Sequence, residues 1–255
     1  MSAAFTRAIV VGGSSGIGEA IARQLAAEGA QVAVVARREA ELARVVAAAA
    51  SAASAASAPG KIKAYVHDAA DVDAVPELFA KIVADLGGLD TLVYAAGAMP
   101  AVAEGEYSFE KDRTMVAVNL LGAMAWMNPA VARFEAARSG TVVGISSIAG
   151  ERGRRGNPGY CTSKAALSTY LESLRNRCAR YGVNVVTVKP GFVDTAMTRG
   201  MKGLFWLISA DEAAKQALSL ARRGSGASGF VPARWGLVAL VVRMLPSFVF
   251  RRLNF

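Results

Sequence analysis

RAIVVGGSSGIGEAIARQLAAEG, Arg7 to Gly29, is the stretch that decides the fold. A β-branched apolar run, Arg7 to Val11, enters a glycine-rich turn, and the turn opens directly into a helical pattern, Gly16 to Glu28, that Gly29 ends. Glycines at 12, 16 and 18 allow a tight turn, a close approach of backbone to a pyrophosphate, and close helix packing. The first N–H groups of the helix are left to meet the phosphates. A glycine-rich stretch by itself is often a plain loop. Placed between a strand and a helix, GGSSGIG predicts a nucleotide-binding turn.

The same rhythm continues along the chain. Strands are expected at Gln31 to Ala36, Lys61 to Val66, Thr91 to Tyr94, Gly140 to Ile145 and Val183 to Val188, with a short seventh at Gly229 to Val231. Continuously apolar strands are covered on both faces, and parallel neighbours need helical crossovers. The expected fold is therefore α/β, a three-layer doubly wound parallel sheet. Val75 to Asp85 reads as a helix with Pro76 in its first turn. The alanine-rich segment Ala47 to Pro59 reads as an extension of the helix after the second strand, not a linker. No repeat or composition shift divides the 255 residues before the tail, so a single domain is expected.

Composition removes several classes. Apolar residues make up 53% of the chain, with a mean hydropathy of +0.33, which excludes a disordered protein. Cys161 and Cys178 are too far apart for a Cys-x-x-Cys metal pair, and the single histidine, His67, is too few for an imidazole-rich site, so no metal is expected. The amino terminus reaches glycines before any apolar run of signal-peptide length, and no uninterrupted apolar run approaches the roughly eighteen residues of a spanning helix. A cytoplasmic protein is expected. The net charge is +9, and no acidic residue follows Glu212 while Lys215, Arg222, Arg223, Arg234, Arg243, Arg251 and Arg252 do. This basic end is a solvated face, or it attracts anionic lipid or a phosphate-bearing ligand. No nucleic-acid partner is expected.

Ala36, Arg37 and Arg38 end the second strand, where a dinucleotide-binding fold usually carries an acid against the adenosine ribose. Arginine matches a 2′-phosphate and Ala36 brings no repelling carboxylate. NADP(H) is favoured over NAD(H), with Arg37 as the contact; the plain alternative is an exposed arginine pair opening the next helix. Tyr160 and Lys164 stand four apart, on one face of a helix, where an ammonium can favour the phenolate of a group that ordinarily titrates at about 10. Ser147 closes the strand that ends GISS, at the carboxyl edge where open α/β sheets bind ligands, and can hold a carbonyl oxygen. A lone Tyr-x-x-x-Lys pair is usually structural.

GGSSGIG, NLLG at Asn119, ISSIAG at Ile145 and YCTSK at Tyr160, in this order and spacing, resemble the short-chain dehydrogenase/reductase family over essentially the whole chain. The resemblance implies a Rossmann-type catalytic domain over residues 1–233, with 234–255 as a basic amphipathic extension of it. It implies Tyr160 as acid/base and Lys164 as the residue that binds the nicotinamide ribose and lowers the tyrosine pKa. Ser147 would orient the carbonyl, and Asn119 would hold a water in a proton relay. Cofactor contacts are implied at Gly12, Ser14, Ser15, Gly16, Ile17, Gly18, Arg37, Asp68, Ala69, Gly97, Tyr160, Lys164, Pro190, Gly191, Val193 and Thr195. Two departures stand out: Val11 where the family often has threonine, and TyrAlaAlaGly at 94–97 in place of Asn-Asn-Ala-Gly. They bear on hydrogen bonds around the fourth strand, not on the proton-transfer groups.

From Leu237 the apolar positions Leu237, Leu240, Val241, Met244, Leu245 and Phe248 recur at helical spacing among arginines. This predicts a basic amphipathic helix, covered by the body of the protein, by a second subunit or by a membrane surface. AGERGRRGNPGY, VKPGFVDTAMT and the closing tryptophan, apolar helix, LeuPro and PheArgArgLeu resemble the branch containing decaprenylphosphoryl 2-keto-ribose reductase. That branch reduces a ketone on a sugar carried by a polyprenyl phosphate. Arg152, Arg154 and Arg155 lie where they could meet a phosphate.

The expected activity is NADP(H)-dependent interconversion of a ketone and a secondary alcohol, on a small-molecule or lipid-linked carbonyl. The rivals are an NADP-binding sensor or scaffold without turnover, and a hydrolase built on Ser147, which His67 on another strand does not support. The helix face Ala165 to Leu174, with the resemblance, suggests a homodimer or homotetramer.

Overall fold

The computed structural model describes residues 5–53, 60–201, 203–224 and 226–252. Its elements in chain order are β1 (Arg7–Val11), α1 (Gly16–Ala27), β2 (Gln31–Ala36), α2 (Glu39–Ala53), β3 (Lys61–Val66), α3 (Val75–Leu86) and β4 (Thr91–Tyr94). There follow α4 (Phe109–Val116), a π-turn (Ala117–Leu121), α5 (Gly122–Ala137), β5 (Gly140–Ile145), α6 (Pro158–Cys178) and β6 (Val183–Pro190). The last part holds β7 (Val193–Asp194), β8 (Ile208–Ser209), α7 (Ala210–Arg222), β9 (Ser228–Val231), α8 (Trp235–Met244) and α9 (Ser247–Phe250). The part of Ala47 to Pro59 that falls on 54–59 lies outside the described residues.

Seven strands pair in parallel in the order β3-β2-β1-β4-β5-β6-β9, as a Rossmann-type doubly wound sheet does. The strand order reverses between β1 and β4, which opens a crevice beyond their carboxyl ends. Alternation along β1 sends Ala8 and Val10 to one core and Ile9 and Val11 to the other. The first core takes Ile21, Leu25, Leu42, Ala217 and Leu218 from α1, α2 and α7. The second takes Phe79, Ile82, Trp126, Phe134, Leu167 and Leu171 from α3, α5 and α6. The small β7–β8 pair was not legible in the sequence, because two residues carry no periodicity.

Two observations bear on what the sequence suggested. The continuous helix Phe109–Ala137 is long and apolar enough to cross a bilayer by length and composition, although interruptions hid it from a search for an uninterrupted run. Half of its most apolar window is buried, as in a core helix. The leucines of α6 that suggested a subunit contact, Leu167, Leu171 and Leu174, are buried in this chain's own core.

The tail forms α8 and α9, and the body covers one side of it. Trp235 and Ala239 are buried, and Trp235 meets Phe192, Phe205 and Trp206 at ring-centre distances of 5.0–5.6 Å. Arg152 donates to the carbonyls of Val242 and Leu245, satisfying acceptors at the end of α8, and its guanidinium lies 4.1 Å from the Phe250 ring centre. The buried Glu151 carboxylate holds Arg243 and, at 2.8 Å, Lys189. The opposite side, Leu237, Leu240, Val241, Met244 and Phe248, is exposed.

Candidate active site

The glycine turn is built as its spacing implies. Gly12 and Gly16 have φ of +85° and +57°, and a Cβ on Gly12 would run into the backbone of Ala96. A Cβ on Gly18 would run into the Gly12 carbonyl, so the turn can lie against α1 only without side chains. The Ser15 side chain makes no cap hydrogen bond, which leaves the first-turn N–H groups of α1 facing the cleft. These free donors and the side-chain-free cradle fit a pyrophosphate.

At the end of β2 the two arginines part. Arg37 lies 3.6 Å from Asp68 across the cleft, whereas Arg38 donates to Ser15 Oγ at 2.8 Å and Ser14 Oγ at 3.3 Å. The second arginine, not the one singled out from the sequence, is thus folded onto the glycine turn. Sequence reasoning could have found it only by asking which arginine returns to Ser14 and Ser15, a matter of loop geometry.

Tyr160 and Lys164 project from the first two turns of α6, which starts sharply because Asn157 Oδ1 accepts from Tyr160 N at 3.0 Å and Pro158 suits a first-turn position. Both are buried. Lys164 Nζ donates to the Ile145 carbonyl at 2.9 Å, and burial pushes it down to about 8. Ser147 begins a short turn, where its Oγ accepts from Ala149 N at 3.1 Å. For Tyr160 the implied pKa needs correcting. Burial pushes the phenol above its ordinary value and outweighs the Ser147 hydrogen bond and the Arg154 charge, which favour the phenolate. Lys164 Nζ stands 5.8 Å from the ring centre. The tyrosine is held as a protonated donor.

Asn119 is fully buried in the π-turn and does not line the cleft. Its Nδ2 donates to Ala98 O and Ser163 Oγ, and its Oδ1 accepts from Ala98 N at 2.7 Å. It therefore fixes the segment after β4 against α6. The departure at Tyr94 finds its reason here: the buried hydroxyl donates to the Val118 carbonyl within the π-turn at 2.5 Å. Gly122 leaves room for it, since a Cβ there would meet the Tyr94 hydroxyl at 2.5 Å.

All the other expected site residues line one cleft: Gly12, Ser14 to Gly18, Arg37, Asp68, Ala69, Gly97, Ser147, Tyr160, Lys164, Pro190, Gly191, Val193 and Thr195. A Cβ at Gly16 would lie 3.0 Å from Thr195 Cγ2, so the segment after β6 closes back over the glycine turn. A Cβ at Gly97 would lie 3.6 Å from Asn119 Oδ1 and 3.7 Å from Lys164 Nζ. The cleft also takes in His67, Met99, Arg154, Phe192, Met197 and Met201. Of these only Arg154 stood out in the sequence as a ligand contact; His67 was noted there as the single histidine. Met197 and Met201 belong to a flap whose apolar side chains, with Phe205, Trp206 and Leu207, are exposed at the surface.

A doubly wound sheet with a phosphate-shaped turn at its switch point and a buried Ser-Tyr-Lys group beside it defines a dinucleotide-dependent oxidoreductase. The short chain dehydrogenase family matches residues 6–202, and this chain belongs to that family. It is similar to an uncharacterized oxidoreductase of Myxococcus xanthus, 34% identical over 194 residues that cover 76% of this chain and 74% of that protein. An uncharacterized oxidoreductase of Staphylococcus epidermidis is 31% identical over 193 residues, 76% of this chain and 80% of the relative. Among solved structures, a short-chain type dehydrogenase/reductase from Mycobacterium marinum superposes with a TM-score of 0.79 at 25% identity, covering 88% of this chain and 93% of that one. NAD(P)-dependent oxidoreductase activity is the function this membership supports.

Proposed function

We propose that this chain uses NADP(H) to interconvert a ketone and a secondary alcohol on a hydrophobic carbonyl compound. The observation that carries the reading is the buried convergence of Ser147, Tyr160 and Lys164 on the cleft that the glycine turn opens. The bound dinucleotide would supply hydride. Ser147 would orient the carbonyl oxygen, and Tyr160, kept protonated by its burial, would give its proton to the nascent alkoxide. Lys164 would hold the sugar of the cofactor beside the tyrosine, and Asn119 would keep the segment after β4 in register with α6. Ala36, Arg37 and Arg38 support the preference for NADP(H), because no carboxylate ends β2 and two guanidinium groups stand by. Binding of the 2′-phosphate would draw Arg37 from Asp68 or use Arg38 where it lies.

The apolar flap and tail support a greasy substrate, with a lipid-linked keto-sugar as the candidate that the tail's resemblance suggests. Five exposed apolar side chains on α8 and α9, each contributing roughly 1.5–3 kcal/mol when fully buried, favour a covered state. The reading puts the protein in the cytoplasm, with this face against the inner surface of an anionic membrane, drawn by Arg251 and Arg252. The test is NADPH consumption, with the alcohol product identified, over ketones that include ketosugars, membrane extract and lipid-linked ketones. Oxidation of NADPH with at least one ketone is expected; tight NADPH binding with no turnover on any would replace the reading with a sensor.

A further inference from the structure

Three arginines punctuate the loop between Ser147 and Tyr160, and the structure separates them. Arg152 is committed to the carbonyls of Val242 and Leu245, and Arg155 donates to the carbonyl of Arg251. Arg154, between them, lines the cleft instead and makes no ion pair among the described residues. Its Nε–H is buried without an acceptor. The loop's one carboxylate, Glu151, is held by Lys189 and Arg243, so it does not neutralise Arg154. A buried guanidinium N–H with no partner is costly, and an oxyanion is the ligand that satisfies it best.

We propose that Arg154 sets substrate specificity by binding an oxyanion, a phosphate or carboxylate group, carried by the carbonyl substrate, and that the docked tail holds it there through Arg152 and Arg155. The proposal rests on the reductase reading for the word substrate, but the site itself is defined by Arg154 and its surroundings. Arg154 lines the same cleft as Ser147 and Tyr160, so the anion and the carbonyl can belong to one bound molecule. Arg152 and Arg155 are positioning residues. They point away from the cleft and act by tying the loop at both sides of Arg154 to α8 and α9.

The test measures binding without turnover, on the full chain saturated with NADP+ so that the dinucleotide's own phosphate sites are filled. Calorimetric titration compares hexyl phosphate with 1-hexanol. The phosphate is expected to bind at least about tenfold tighter, as a charge-assisted arginine contact would give. Arg154→Gln should erase that preference, Arg154→Lys should keep part of it, and Arg152→Met should reduce it while NADP+ affinity stays. Equal binding of the two probes by the wild-type protein, or a preference that survives Arg154→Gln, would overturn the proposal. So would a loss of NADP+ affinity in Arg154→Gln that matches the loss of phosphate affinity, which would assign the arginine to the cofactor. Failure to reduce any ketone would sink the reductase reading and leave these binding results standing.

Discussion

The corner that holds Ser147, Tyr160 and Lys164 and the tail beyond Pro232 are built on opposite terms. In the corner polar groups are buried and bonded: Asn119 to Ala98 and Ser163, Lys164 to Ile145, Ser146 to Lys164 O. In the tail apolar groups are exposed, with Leu237 at 70% and Met244 at 75% of their full accessibility. The first arrangement needs only the chain's own fold, since each of these polar groups finds its partner inside it. The second leaves apolar surface that burial against another surface would stabilise. The two meet in the loop 151–155, whose arginines tie the tail to the rim of the active site.

Breaking the corner should produce the largest effect. Lys164→Met should lower kcat/KM for ketone reduction about 10²-fold, because the group that would hold the cofactor's sugar beside Tyr160 is lost. It should also change how stability depends on pH. In the fold Lys164 titrates at about 8, below its ordinary 10.5, so the unfolded chain binds more protons between those values. The contribution of Lys164 to stability therefore rises as pH goes from about 8 to 10.5, and the variant's melting curve should lack that rise. An unchanged pH profile would mean the lysine is not desolvated.

Next in size is the cofactor side of the same cleft. Arg38→Ala should weaken NADPH by about tenfold or more relative to NADH, read by fluorescence titration of both, because a charged hydrogen bond is lost for one cofactor only. Equal losses would make Arg38 a brace for Ser14 and Ser15. Arg37→Ala, measured in parallel, divides the 2′-phosphate between the two arginines. Tyr94→Phe should cost about 1–3 kcal/mol in denaturant unfolding, since it leaves the Val118 carbonyl buried without that donor.

The smallest effect on the fold comes from the tail. Leu240→Glu with Met244→Glu should change stability by no more than about 0.5 kcal/mol, as exposed positions do. Co-sedimentation with anionic vesicles should fall sharply, and binding by the wild-type protein should weaken with salt. Vesicle binding unaffected by the two glutamates would mean that this face is covered by something other than lipid.

The sheet and the catalytic group were legible in the sequence for a definite reason. Parallel strands such as Val32 to Val35 are buried on both faces and read as apolar runs, and Tyr160 and Lys164 share a face because they are four apart on a helix. What escaped was decided by tertiary geometry. No periodicity distinguishes Arg37 from Arg38 or Arg154 from its neighbours, and the π-turn that carries Asn119 is met by the Tyr94 hydroxyl from a distant strand, in room that the adjoining Gly122 leaves for it. The direction of the Tyr160 shift also depended on burial, which spacing does not reveal.

The most direct test of the central claim is the turnover of Tyr160→Phe with NADPH and the best ketone found. NADPH affinity is expected to stay close to that of the wild-type protein and kcat to fall about 10²-fold or more, because only the proton donor is removed. A variant that still reduces the ketone at near the wild-type rate would contradict it.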